Sequence, residues 1–225
     1  MIDPQAWLAG VLPQLQQVFG ARLRYLGLQG SYRRGEATET SDIDLVVLLG
    51  SLELDDLDAY RAIVRAMPEG EKACGFIGGI AELLHWPRHE LFTLKQDTTD
   101  YYGKLDDFLP VITDSDAAEA AKIGTSTLLH LLTHSYLYAE ADSRPAILKE
   151  AYKAAFFVML VKHYCTTGVY CRSKKELRLR LQGTEQEIIA AGQDFAVWLA
   201  THSEKEAYAM LRHWCSSVLI DAPEK

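Results

Sequence analysis

The chain has 225 residues, enough for one large domain or two compact ones, with 48% apolar, 24% charged and 10% aromatic residues. Its formal net charge of −8 argues against a protein that grips long nucleic acid, because phosphate neutralisation supplies most of that affinity. No apolar run approaches the roughly 18 to 20 residues of a membrane span, so no membrane partner is expected.

The opening MIDPQAWLAG has no basic start and no long apolar stretch, which sets the expectation of a protein without a secretory signal. Asp3-Pro4 reads as an N-cap followed by proline at the first helical position, opening a helix through about Phe19. LRYLGLQ is strand-like, and Gly30-Ser31 breaks the pattern. IDLVVLL alternates little, as a strand covered on both faces does. LDDLDAYRAIVRAM is an amphipathic helix. ACGFIGGIAELLHW is ambiguous, and Pro87 ends whatever it forms. HELFTLKQ alternates well enough to be a third strand. DTTDYYGKLDDFLP then reads as a connection. Segments near 114–141, 146–167, 173–181, 184–201 and 203–220 carry helical periodicity between turn signals.

These elements predict an α+β fold: an α/β domain with a mixed sheet over residues 1–112, then an α-helical bundle over 113–225. Cys74, Cys165, Cys171 and Cys215 lack paired spacing, so reduced thiols in a cytoplasmic protein are expected, not a zinc ribbon or a disulfide framework.

The chemistry sits in GSYRRGEATETSDIDLVVLL, residues 30–49. In a strand, residues i and i+2 share a face, so Asp42 and Asp44 project together. Two carboxylates side by side raise each other's pKa unless a cation or water answers them. Such a pair suits a hard divalent cation. Upstream, a Gly30-Ser31 turn can offer backbone N–H groups and a hydroxyl to a phosphate. Acids for metal beside donors for phosphate describe phosphoryl or nucleotidyl transfer.

This stretch resembles the signature of the DNA polymerase beta-like nucleotidyltransferase superfamily, with Gly30, Ser31, Arg34, Gly35, Ser41, Asp42, Asp44 and Leu45 at the motif positions. Arg33 departs from many small bacterial members, which have alanine there. The second half loosely resembles the helical domains fused to small bacterial nucleotidyltransferases.

The resemblance implies ATP or another NTP as co-substrate and two Mg²⁺ ions on Asp42 and Asp44, with a third carboxylate on a later strand. Glu90 is the candidate for that role and Glu82 the alternative. It implies phosphate contacts from Gly30, Ser31 and Arg34. The acceptor would be a small-molecule hydroxyl; the competing readings are a protein side chain, as in antitoxin-type nucleotidyltransferases, or an inactive nucleotide-binding module. Lys149 and Lys153, one helical turn apart, are candidate phosphate contacts from the helical half, with Lys174 and Lys175 behind them. His130 and His134 have zinc-ligand spacing, but no third ligand is evident and packing is the plainer role. The resemblance also leaves a homodimer open.

Overall fold

The structure, a computed structural model, describes residues 1–220. It divides into two compact units, Met1–Ile112 and Thr113–Lys225.

In the first unit, α1 spans Pro4–Phe19 and is capped by Asp3, whose carboxylate accepts the Gln5 and Ala6 amides at 3.0 and 3.2 Å. There follow β1 (Leu23–Gln29), a short helix α2 (Gly30–Arg34), β2 (Ile43–Leu49) and α3 (Leu54–Ala66). The unit continues through β3 (Ala73–Gly79), α4 (Ile80–Leu84), α5 (Arg88–Gln96) and β4 (Thr99–Tyr102). The four strands are ordered β3-β2-β1-β4; β1 is antiparallel to β2 and β4, and β2 is parallel to β3.

The sheet is covered on both sides. Ile43, Leu45, Val47 and Leu49 pack with Leu8, Val11 and Leu15 of α1 and Ile63 and Val64 of α3. Val46 and Leu48 pack the other way, with Leu83 of α4, Leu91 and Leu94 of α5, and Tyr25. That double cover is why β2 reads as an unbroken apolar run.

Three expectations need correction. HELFTLKQ is the helix α5, not a strand: it buries Leu91, Phe92 and Leu94, a spacing that one helical face satisfies and a two-residue period does not. The third strand comes earlier, from the glycine-rich ACGFIGG. Its glycines permit what a side chain would block. Gly75 has φ of 114°, and a methyl there would lie 2.1 Å from the Leu45 carbonyl oxygen. Finally, DTTDYYGKLDDFLP is no mere connection, because Thr99–Tyr102 pairs with β1 as the edge strand β4.

The second unit is helical, with α6 (Asp114–Tyr138), α7 (Arg144–Thr167), α8 (Lys174–Arg180), α9 (Gly183–Gln193), α10 (Phe195–Leu199) and α11 (Glu204–Ile220). A capping box starts α6: Thr113 donates its amide and hydroxyl to Asp116 at 2.6 and 2.8 Å. Leu132, Tyr152, Phe156, Ile188, Leu211 and Trp214 meet in its core. The segment read as one helix over 184–201 is two, because Asp194 leaves helical geometry and its side chain caps α10 through the Val197 amide. Among the described residues no helix is long and apolar enough to cross a membrane.

Gly75→Ala adds a methyl at a left-handed φ against a backbone oxygen. The expected cost is about 1–3 kcal/mol, seen as a lower urea midpoint with an unchanged slope; an unaltered midpoint would mean that β3 does not approach β2 this closely.

Candidate active site

The antiparallel pairing of β1 and β2 places Gln29 opposite Asp44, so the chain leaves β1 at Gly30 just where the acidic segment enters β2. Gly30 has φ of 70°. A methyl on its Cα would lie 1.8 Å from Asp44 Oδ2, which puts the carboxylate directly over the turn. A side chain there would be strained by the positive φ and would have to displace the Asp44 carboxylate. Asp44 alternates with Leu45 and so shares the face of Val46 and Leu48; it is half-buried, whereas Asp42, just before the strand, is exposed. The two halves of the motif, separate in sequence, are one locus in space.

The turn itself is the first residues of α2, whose leading amides have no partner within the helix. Ser31 is half-buried there, and its carbonyl accepts the Glu36 amide at 2.9 Å. Tyr32 is buried in the core, and its hydroxyl accepts the Ile2 amide at 3.1 Å. Gly35, with φ of 69°, ends the helix. The return loop is held by the Ser41 hydroxyl, which accepts the Thr38 amide at 2.9 Å, and by Lys72 Nζ, which donates to the Glu39 carbonyl at 2.8 Å.

Arg34 has partners other than phosphate. Its side chain is only 8% exposed and reaches Asp97 at 2.8 Å and Glu36 at 3.3 Å. Burial holds the Asp97 carboxyl above its ordinary pKa, an effect that the guanidiniums of Arg34 and Arg33 offset only in part. These contacts make Arg34 a brace for α2.

The third carboxylate does not emerge as the sequence pattern implies. On β3 the residue in register with Asp44 is Cys74, and the strand ACGFIGG carries no acid. Glu82, on α4, lies against Gly79, where a methyl would meet its Oε2 at 2.0 Å. Gly79 is five residues along β3 from Cys74, about 16 Å of strand. Glu82 is therefore at the wrong end of the sheet to share an ion with Asp44. Glu90 is exposed on the first turn of α5, a helix and not a strand start. Asp100 of β4, an acid the sequence reading passed over, accepts the Tyr25 hydroxyl at 2.8 Å and the Leu105 amide at 3.2 Å. Among the described residues no three His, Cys, Asp or Glu side chains converge closely enough to hold a metal ion.

In the helical unit, Lys149 and Lys153 are exposed on α7, with Lys153 Nζ 3.7 Å from Glu150. Lys174 lies over the Phe156 ring at 5.4 Å. His130 and His134 are exposed neighbours with ring centroids 5.9 Å apart.

The donor set still fits Mg²⁺. That ion takes oxygen ligands and is commonly bound by one or two carboxylates together with substrate phosphates, without a full protein cage. Asp44 over an amide-rich turn, with Asp42 exposed two residues before it in the chain, offers oxygen donors of that kind.

Residues 13–105 match the family model described as nucleotidyltransferase domain. The solved structure of a spectinomycin adenyltransferase from Enterococcus faecialis, with ATP and spectinomycin, is similar in fold. It matches with a TM-score of 0.58 at 14% identity, over 95% of this chain and 98% of that one. No curated protein matches the sequence.

Gly30→Ala tests the site's geometry directly. A displacement of the carboxylate by about 1 Å is expected to cost up to about 10²-fold in transfer rate while the circular dichroism spectrum is retained; wild-type metal-dependent ATP binding and transfer in this variant would contradict the apposition.

Proposed function

We propose that the chain moves AMP from ATP onto a hydroxyl of a small molecule, with release of pyrophosphate. The observation that carries this reading is the Asp44 carboxylate standing over Gly30 within the residues that match the nucleotidyltransferase domain family. The adenyltransferase with a similar fold, crystallised with ATP and spectinomycin, supports ATP as donor and a small molecule as acceptor.

In this reading the acceptor oxygen attacks the α-phosphorus, the bond to the bridging oxygen of the β-phosphate breaks, and pyrophosphate leaves. Asp42 and Asp44 would hold two Mg²⁺ ions, which when bound offset phosphate charge and lower the pKa of a coordinated hydroxyl. The α2 amides and the Ser31 hydroxyl orient the terminal phosphates, and the missing Cβ at Gly30 lets backbone and carboxylate approach the same group. Positioning of this kind is the larger part of catalysis in such transfers. Glu90 is proposed to take the acceptor's proton, on the strength of the superfamily resemblance and its exposure on α5. Lys149 and Lys153 are proposed phosphate contacts, supported by their shared exposed face on α7. A cytoplasmic location belongs to the same proposal.

The test is incubation with Mg²⁺, ATP labelled at the α-phosphate and a panel of hydroxylated small molecules that includes spectinomycin. Labelled product is expected from the wild type, and Asp42→Asn and Asp44→Asn each lower its rate by about 10²–10³-fold. Equal rates in the three proteins would refute an enzymatic role for the pair. Label found on protein alone would reassign the acceptor. For Glu90→Gln, retained ATP binding with lost transfer is expected, and full turnover would remove Glu90 from the mechanism.

A further inference from the structure

The residues that follow α5 make contacts that the nucleotide site itself does not explain. Asp97 bridges two arginines of α2: Oδ1 lies 3.3 Å from Arg33 Nη1 and Oδ2 lies 2.8 Å from Arg34 Nη1. Arg33 Nη2 also donates to the Gln96 carbonyl at 2.8 Å. One residue on, the Thr98 hydroxyl accepts Gln29 Nε2 at 2.8 Å and itself donates to the Leu94 carbonyl at 2.5 Å. Gln29 is the last residue of β1, and Arg33 and Arg34 are the last two of α2. Gly30 and Ser31 thus lie between two anchor points supplied by three consecutive residues more than sixty positions away. The anchors are shielded, with side-chain exposures of 11% for Arg33, 8% for Arg34 and 12% for Asp97.

From this arrangement we infer that Gln96-Asp97-Thr98 is a clamp that holds the Gly30–Ser31 turn in its phosphate-binding shape, with Asp97 as a positioning residue. The inference rests on the function proposed above for that turn. A helix as short as α2 has little stability of its own, so external anchors set its geometry. Each anchor is a partly buried charged or polar contact, and removing one partner leaves the other poorly compensated. Arg33 adds the second strut to Asp97. Loosening the clamp weakens the grip on the triphosphate and leaves Asp44 in place, because β2 is fixed by the sheet.

The test has two arms, applied to Asp97→Asn, Asp97→Glu and the milder Thr98→Val. Hydrogen exchange in the unliganded full chain is expected to quicken about tenfold at the Gly35 and Glu36 amides, which donate to the Tyr32 and Ser31 carbonyls, with no change in the α3 amides. In transfer assays the KM for ATP is expected to rise about tenfold in Asp97→Asn and less in Thr98→Val, with kcat within about twofold and Asp97→Glu partly restoring KM. Unaltered exchange in the turn, or a uniform rise across the unit, overturns the clamp. Where the wild type shows no transfer, the proposed reaction fails and the exchange arm alone decides the clamp. A kcat defect with unchanged KM also overturns it.

Discussion

The antiparallel pairing of β1 with β2 is the constraint on which the site depends. Its register sets Gln29 opposite Asp44 and so delivers the glycine turn and the acids to one point. A slip of one residue would turn Asp44 toward the α1 side and send Leu45 to the site. Both faces of β2 are buried and apolar, so hydrophobic alternation alone does not choose the register. The carboxylate is aimed by the strand pairing and by the close fit of Asp44 over Gly30. Function at one end of the strand is underwritten by pairing along its length.

Cost and tolerance divide between the two acids. Asp42 remains exposed to water, so only Asp44 is partly desolvated. Placing a carboxylate against a glycine turn at the edge of the core, and not within it, keeps that penalty moderate. The charge balance behind the turn follows the same logic. Arg33 and Arg34 are answered by Asp97 and Glu36, which makes the α2 brace close to neutral.

Much of this was legible in the sequence where local pattern and final environment agree. Asp3-Pro4 caps α1, the unbroken apolar run of β2 reflects cover on two faces, and Gly30 to Asp44 carries the motif. The failures share one cause. HELFTLKQ offers an alternation that its neighbours do not use, because Leu91 and Leu94 turn to the sheet as one helical face. ACGFIGG is poor in strand formers, yet its lack of side chains is what lets β3 lie against β2. The pairing of Asp97 with Arg33 and Arg34 is long-range, and no local spacing announces it. Glu90 reads as a strand start in the sequence but lies on a helix, so the expected strand position of a third acid does not apply to it.

The most direct measurement of the central claim is amide NMR of the full chain with ATP during titration with Mn²⁺, a paramagnetic stand-in for Mg²⁺. The account predicts resonance broadening centred on residues 30–31 and 42–44, abolished when ATP is withheld and Asp44 is replaced by Asn. Broadening centred on another part of the chain, or none around Gly30 and Asp44, would contradict it.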